Sequence, residues 1–313
     1  MASEGKVLRS TGSWYIVRLE DGRQINARLK GKFRLEDTGQ TNPIAVGDNV
    51  TISFEELDES GNAMITDIKD RANYISREAP RHQYGRHIIA ANLDQAFIIA
   101  TVANPRTSSG FIDRFLLTAE AYHIPAVVVF NKQDLLTKPK DLERQKEWVD
   151  MYRTAGYTVL LTSSVTGEGV KELGEMLDNK VSLLSGHSGV GKSTLINSIF
   201  PTMHLRTKEI SQKHNKGVHT TTFSEMFVLP DGGYLIDTPG IKEFGILDLQ
   251  PQEVGHFYPE IRAILSGCKY NNCLHQEEPG CAVKQAVMDG KLAYERYKNY
   301  DNIVENTKER PKY

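Results

Sequence analysis

Apolar and polar residues alternate with a period of two through much of the first 70 positions. Trp14-Tyr15-Ile16-Val17-Arg18-Leu19 is dense in strand formers, Asp21-Gly22 is a hairpin turn signal, and Arg23-Gln24-Ile25-Asn26-Ala27-Arg28-Leu29 alternates strictly. Val50-Thr51-Ile52-Ser53-Phe54 and Ala63-Met64-Ile65-Thr66-Asp67-Ile68 repeat the pattern after Gly47-Asp48 and Gly61-Asn62. With Lys6-Val7-Leu8 they predict about five short strands, which suits a small closed barrel of the OB type, an architecture that often binds nucleic acid. Residues 71–90 carry Arg71, Arg77, Arg81, Arg86, His82 and His87 around a Pro and a Gly, and read as a linker.

The pattern changes after that. Asp94 to Val102, Pro125 to Phe130 and Tyr157 to Leu161 are short apolar runs typical of buried parallel strands. Between them Phe111 to Tyr122, Lys140 to Ala155 and Gly169 to Leu177 have helical spacing. Strands alternating with helices predict an α/β domain whose ligands sit at the carboxyl ends of the strands. A further strand, Val181 to Leu184, leads into the helix Thr194 to Phe200, and two strands follow at Phe223 to Leu229 and Gly233 to Ile236. The tail from Cys281 to Tyr300 has an apolar stripe at Ala286, Val287, Ala293, Tyr297 and Tyr300, and reads as one helix.

Length and composition narrow the class. At 313 residues the chain exceeds one ordinary core of about 100–200 residues, so two or three domains are expected. No apolar run approaches the ~20 residues that span a bilayer, and no apolar signal core follows Met1-Ala2-Ser3-Glu4-Gly5-Lys6; a cytoplasmic protein without membrane partners is expected. The net charge of −2 excludes a polycation, but residues 1–34 hold eight Lys/Arg against three Asp/Glu, a local +5 that favours phosphate backbones as partners of the barrel. No coiled-coil pattern demands a dimer, so a monomer is expected.

The loops after the strands carry the chemistry. Gly186-His187-Ser188-Gly189-Val190-Gly191-Lys192-Ser193 fits the phosphate-binding P-loop, with Thr194 opening the helix behind it. The glycines let backbone N–H groups turn inward to phosphate oxygens, and the helix adds its positive end. Lys192 is placed to reach the β- and γ-phosphates and Ser193 to ligate Mg²⁺. Asn131-Lys132-Gln133-Asp134 follows the second α/β strand. The Asp134 carboxylate can accept from N1–H and the exocyclic amine of guanine, Asn131 can bind the other edge, and the Lys132 stem can cover the base. After the third strand, Ser163 and Ser164 lie in a tight turn that can offer backbone N–H to the guanine O6.

Residues 202–222 form a long polar stretch ending in Gly217-Val218-His219-Thr220-Thr221-Thr222, as expected of a switch loop. Thr220 or Thr221 can ligate Mg²⁺, Thr221 being the residue assigned. In Asp237-Thr238-Pro239-Gly240, Asp237 would hold Mg²⁺ through water and the Gly240 N–H would meet the γ-phosphate. Many GTPases place a water-orienting Gln next; here Ile241 stands there, and His219 is the candidate catalytic group beside Lys192. Cys268-x₄-Cys273-x-His275-x₅-Cys281 uses every cysteine of the chain and supplies three thiolates and an imidazole, the ligand set of one closed structural zinc site.

Together these motifs define a GTPase using GTP/GDP and Mg²⁺, but Asn131–Asp134 and the Ser loop precede the P-loop, so the domain is circularly permuted. The switch at Asp237–Gly240 then ends the domain and leads through Ile241 to Leu249 into the cysteine module, on which a nucleotide-driven shift would pull. A barrel, a permuted GTPase with G-x-S-G-V-G-K-S and G-x-H-T-T-T, and a cysteine cluster resemble the RsgA (YjeQ/YloQ) family of bacterial small-subunit-dependent GTPases over nearly the whole chain. The resemblance implies three domains: an OB-fold at 1–70, a permuted GTPase domain at 71–248 and a mainly helical zinc-binding domain at 249–313. It implies Cys268, Cys273, His275 and Cys281 as zinc ligands and His219 as the family's catalytic His. It also implies late maturation of the small ribosomal subunit as the task, with that subunit and its rRNA as partners and as the stimulus for hydrolysis. Two other readings use the same residues: a GTP-controlled RNA-binding switch acting on a different RNA, and a zinc-and-barrel RNA-binding protein with an inactive G domain. Intact Lys192, Ser193, Asp237 and Asp134 count against the last.

Overall fold

The computed structural model describes residues 2–11, 14–30, 43–57, 62–78, 86–203, 205, 224–237 and 249–308. Its strands in chain order are β1 (Ala2–Ser10), β2 (Tyr15–Leu19), β3 (Gln24–Leu29), β4 (Asn49–Leu57), β5 (Ala63–Ile68), β6 (Tyr74–Glu78), β7 (Arg86–Ala91), β8 (Gln95–Ala100), β9 (Ala126–Asn131), β10 (Thr158–Thr162), β11 (Val181–Ser185), β12 (Glu225–Val228) and β13 (Tyr234–Asp237). The helices are α1 (Ser109–Ala121), α2 (Pro139–Thr154), α3 (Val170–Leu177), α4 (Lys192–Ile199), α5 (Pro259–Arg262), α6 (Ala282–Met288) and α7 (Tyr294–Lys308). They fall into two compact units, one of Met1–Ala96, Glu172–Ser185 and Ile199–Gly245, the other of Phe97–Lys171, Gly186–Ser198 and Ile246–Tyr313.

In the first unit the period-two strands close a five-stranded barrel. β1 pairs with β2, β2 with β3, β3 in parallel with β5, β5 with β4, and β4 back with β1. In β2 the alternation sends Tyr15, Val17 and Leu19 inward, where they meet Val7, Ala27, Val50, Ile52 and Ile65. Closure removes the open edge such strands would otherwise present. β1 also touches β12 at Arg9 and Glu225, β12 pairs antiparallel with β13, and β13 runs parallel to β11.

Among its described residues, the expected linker at 71–90 is instead mostly paired: β6 and β7 form an antiparallel hairpin from Tyr74↔Ala91 to Glu78↔Arg86. Arg71 is not a solvated linker charge either. Its guanidinium holds the fully buried Asp48 carboxylate through two bonds, Nε to Oδ1 at 2.6 Å and Nη2 to Oδ2 at 2.7 Å, and gives a third to the Pro43 carbonyl at 2.7 Å. The Asp48 bond holds Arg71 above the ordinary arginine value, against the effect of burial.

The second unit is built on parallel β9 and β10, with the fully buried Phe97, Ile98, Ile99 and Ala100 of β8. α1 begins where Ser108 caps it, accepting from the Phe111 N–H at 3.2 Å. α2 lays Trp148 and Tyr152 against Phe130 of β9. The C-terminal elements share a core in which Val254, Tyr258, Ile261, Val283, Tyr300, Ile303 and Val304 pack with Leu117 of α1. The tail expected as one helix over 281–300 is two, broken by the Asp289-Gly290 turn, where Gly290 takes φ +70°; the second continues to Lys308. Among the described residues no helix is long and apolar enough to cross a membrane.

Candidate nucleotide site and metal centre

The P-loop belongs to the second unit. Gly186, Gly189 and Gly191 all take positive φ, +145°, +84° and +94°. Two of them also need their missing Cβ: a Cβ on Gly186 would lie 2.3 Å from the Ile99 carbonyl oxygen, and one on Gly191 2.6 Å from the Asn131 side-chain nitrogen. Val190 is buried and anchors the loop, while Ser188 and Gly189 are exposed. The Lys192 ammonium donates to the carbonyls of Gly186 at 2.6 Å and His187 at 3.0 Å, so it lies over the loop that is to receive phosphates. Ser193 and Thr194 open α4 in the turn after Gly191. The His187 ring stacks on Phe111 of α1, with centroids 3.8 Å apart and planes at 25°. Burial, then Lys192 and Arg114, hold this imidazole below the usual histidine value.

The loop after β9, expected from sequence to read guanine, meets the P-loop through Asn131. The buried Asn131 amide donates to the Val190 carbonyl at 2.9 Å and accepts from the Thr162 hydroxyl at 3.0 Å. It therefore ties together the P-loop, the end of β9 and the Ser loop after β10. Asp134 accepts from the Ser163 hydroxyl at 2.5 Å, and Ser163 in turn accepts from the N–H groups of Val165 and Thr166 at 3.2 Å each. Ser163 is buried and Ser164 half-buried beside it. Lys132 takes a left-handed backbone, φ +67°, and its ammonium reaches the Asn104 carbonyl at 2.9 Å. Gln133 faces the other way, donating to Phe130 O at 2.9 Å and pairing with Gln145 of α2. The structure thus gathers Asn131, Lys132, Asp134, Ser163, Ser164 and Gly186–Thr194 in one unit. His219, Thr220, Thr221 and Gly240 lie outside the described residues, and Asp237 is described only as the last residue of β13.

The cysteine cluster is assembled. One ligand atom from each of Cys268, Cys273, His275 and Cys281 lies within 4.8 Å of every other. A tetrahedral zinc with sulfur bonds of about 2.3 Å sets its ligands roughly 3.8 Å apart, so these donors fit one such ion. The His275 Nδ1 is the inward atom, 3.5 Å from Cys268 Sγ and 3.4 Å from Cys281 Sγ. Burial pushes the Cys273 thiol up to about 12, a cost that metal coordination reverses by fixing the thiolate. The supporting bonds come from outside the loop's own backbone. Glu278 accepts from the N–H groups of Leu274 at 2.7 Å and Gln276 at 2.9 Å, Tyr297 donates to the His275 carbonyl at 2.7 Å, and Tyr300 to the Leu274 carbonyl at 3.0 Å. Cys281 doubles as the cap of α6, its sulfur accepting from the Lys284 N–H at 3.4 Å.

One group of residues escaped the sequence reading. Arg296 of α7 is 1% exposed, and its guanidinium donates to Asp113 of α1 and to Glu260, both at 2.6 Å. It also faces the Tyr258 ring at 4.4 Å. Asp113 further accepts from Asn299 at 2.7 Å and Tyr152 at 2.9 Å. Burial works against the Arg296 charge, but Asp113 and Glu260 outweigh it and hold the guanidinium well above its ordinary value. The available signal was Asp113 inside Phe111-Ile112-Asp113-Arg114-Phe115-Leu116-Leu117: a carboxylate on an apolar helix face needs a partner.

The basic excess of the first 34 residues is partly spent within the first unit. Lys6 bonds Asn49 at 2.8 Å, Arg9 pairs with Glu225, Arg23 with Asp21, Arg18 lies over Tyr234, and Arg28 lies 3.7 Å over Trp14. Lys32 and Arg34 are outside the described residues.

Comparison with known proteins gives a consistent answer. A model of the RsgA GTPase family matches residues 68–247, and one of the RsgA N-terminal domain matches residues 4–65. A Bacteroides fragilis protein named small ribosomal subunit biogenesis GTPase RsgA is 48% identical over 306 residues, covering 98% of this chain and 97% of its own. A Phocaeicola vulgatus protein of the same name is 50% identical over equal shares. Among solved structures, YjeQ from Thermotoga maritima superposes with a TM-score of 0.80 at 34% identity, covering 99% of this chain and 100% of its own. YloQ, described as a circularly permuted GTPase, gives 0.74 at 30% identity, covering 100% and 98%.

Proposed function

The chain belongs to the RsgA GTPase family and is a GTP hydrolase of permuted motif order, and we propose that it spends GTP in late maturation of the small ribosomal subunit. Family membership brings GTP/GDP and Mg²⁺ as ligands. The observation that carries the site assignment is the Asn131 amide, which links the P-loop at Val190 to the Ser loop at Thr162 and so sets Asp134 and Lys192 on one nucleotide. Asp134 reads guanine by accepting two hydrogen bonds that adenine does not offer. Ser163 holds that carboxylate, and the Ser163–Ser164 turn supplies N–H to the base oxygen. The P-loop glycines and Thr194 give backbone donors to the phosphates. Lys192 leaves the Gly186 and His187 carbonyls for the β- and γ-phosphates, where its charge favours the transition state. Ser193, Thr221 and Asp237 are the assigned magnesium group, by motif; they would hold the ion, which would supply charge to offset that of the phosphates. His219 orients the attacking water in place of the Gln that Ile241 replaces.

Cys268, Cys273, His275 and Cys281 hold one structural zinc, which cross-links the C-terminal module and takes no part in hydrolysis. The three-domain division at 1–70, 71–248 and 249–313, the monomeric state and a cytoplasmic location complete the proposal. The small subunit and its rRNA are the partners, in keeping with the names of the relatives.

The test is GTP turnover with and without purified small subunits, for the wild type and for His219→Ala. Large stimulation of the wild type, lost in a His219→Ala protein that still binds GTP, is the expected result. Basal turnover with no stimulation would favour the switch acting on a different RNA. Unchanged stimulated turnover in His219→Ala would sink the assignment of that residue.

A further inference from the structure

Three junctions run in sequence through the second unit, and no motif predicts them. At the zinc loop, α7 holds the carbonyls of Leu274 and His275 with the hydroxyls of Tyr300 and Tyr297. The neighbouring positions of the same helix turn grip α1. Arg296 bonds Asp113 at 2.6 Å, and Asn299 bonds both Asp113 at 2.7 Å and Ser109 at 3.0 Å. Ser109 and Asp113 are one helical turn apart and share a face of α1. Phe111, two residues from each, lies about 200° around the helix and faces the other way. There it stacks on His187, whose carbonyl receives Lys192.

We propose that α7 sets the position of the P-loop through α1, which makes Phe111 and Asn299 positioning residues for GTP binding and hydrolysis. The inference rests on the reading of Gly186–Ser193 as the GTP phosphate site. The geometry favours transmission because each junction is stiff. A three-donor cluster around a buried carboxylate does not slide, and a ring stack at 3.8 Å leaves no room for slippage. α1 is itself packed over much of its length, with Phe111, Ile112, Phe115, Leu116 and Leu117 all buried, so it shifts as a body or not at all. A tilt of α7 forced by whatever docks on the zinc loop is therefore delivered to His187 and the Lys192 perch. This link is separate from the covalent connection through Ile241–Leu249.

The test is a double-mutant cycle on the full, zinc-loaded chain, reading the dissociation constant of a fluorescent GTP analogue together with KM and kcat. Phe111→Leu removes the ring stack but keeps an apolar side chain; Asn299→Ala removes the half-exposed part of the α7 grip and spares Arg296. Each is expected to weaken GTP binding about threefold to tenfold with kcat changing less and one zinc retained. The double variant is expected to be no weaker than the weaker single, because both act through one helix. Phe111→Tyr, which keeps a ring against His187, restores affinity, and Lys298→Ala on the exposed side of α7 has none of these effects. A helix that was merely destabilised would lower the active fraction and kcat while leaving the dissociation constant alone. Wild-type affinity in Asn299→Ala, or losses that multiply in the double variant, overturns the proposal and leaves the GTP site standing. A wild-type chain that binds no GTP overturns both.

Discussion

The P-loop and the cysteine loop lie in the same unit and solve the same problem, how to hold a charged ligand on irregular backbone, by different means. At Gly186–Gly191 the backbone is the instrument. Three glycines with positive φ leave space where Asn131 and the Ile99 carbonyl come close, and side chains only fasten the loop from outside. At Cys268–Cys281 the side chains are the proposed ligands, and the backbone is pinned by other side chains, Glu278, Tyr297 and Tyr300. One non-glycine residue in the left-handed region accompanies each, Lys132 at φ +67° in the loop after β9 and His275 at +60° within the cysteine loop. Such a conformation costs on the order of 1–2 kcal/mol, and each residue also makes a hydrogen bond, the Lys132 ammonium donating to the Asn104 carbonyl and the His275 carbonyl accepting from Tyr297. The phosphate loop is therefore expected to keep its shape without ligand, whereas the cysteine loop is expected to depend on its proposed ion, which would fix as thiolates the buried Cys273 and Cys281 and the half-buried Cys268.

The largest effect that can break this contrast comes from removing the metal. Cys281→Ser, or chelation of the wild type, is expected to unfold much of 249–308, because the ligands tie together segments that share one small core. Far-UV circular dichroism should fall and proteolysis should begin in that region. Lys192→Ala is expected to do the opposite, losing GTP binding by at least ~100-fold with an unchanged spectrum. A chelated protein with its helical signal and subunit binding intact would show that the two loops are equally self-supporting.

A smaller effect sharpens the role of space at the P-loop. Gly191→Ala keeps every polar group, yet its methyl would meet the Asn131 amide nitrogen at 2.6 Å with φ at +94°. The amide must move, and with it the bonds to Val190 and Thr162. We expect a loss of about 2 kcal/mol of stability from the backbone strain and at least a tenfold loss of GTP affinity in titration. Asn131→Ala should reproduce the affinity loss without the strain. A Gly191→Ala protein that binds GTP normally would mean that the Asn131 tie does not set the loop.

How far the sequence made these features legible follows from the same contrast. Motifs built on backbone freedom or metal chemistry, Gly186–Ser193 and Cys268–Cys281, carry their reason in residue type and spacing, and each lies where its flanks predicted. The barrel was equally readable, because one buried face imposes alternation on β3 and β2 is dense in strand formers. What was hidden depended on a partner distant in sequence. Arg71 reads as solvating charge until Asp48 is beside it, and the hairpin of β6 and β7 reads as linker because its two apolar runs are short and separated by charges. Arg296 sits near Tyr297 and Tyr300 on the expected tail helix, and only Asp113, 183 residues earlier, and Glu260 explain its burial. Asp289-Gly290 was a turn signal within the expected tail helix, outweighed there by the apolar stripe on both sides. The role of Asn131 was half visible. Its place in the guanine motif was evident, its structural tie to Val190 was not.

The smallest effect concerns the stack that fastens the phosphate loop to α1. Burial, with the positive charges of Lys192 and Arg114, holds His187 below the usual histidine value of about 6.5. A depressed folded value means that the neutral ring is the one that packs on Phe111. Its contribution to stability is then complete above the unfolded value and is lost as pH falls through about 6.5 toward the folded value. The nucleotide-free chain should therefore lose melting temperature between pH 7.5 and pH 5.5 by more than His187→Phe, which keeps a ring on Phe111 and cannot titrate. Because the ring is only half-buried, water screens the charge, and the difference should be no more than about 1–2 °C in a domain of this size. The other histidines titrate in both proteins, so only the difference between the two curves reports His187. Parallel curves would mean that the stack tolerates the imidazolium, and that the charge state of His187 has no bearing on the shape of the phosphate loop.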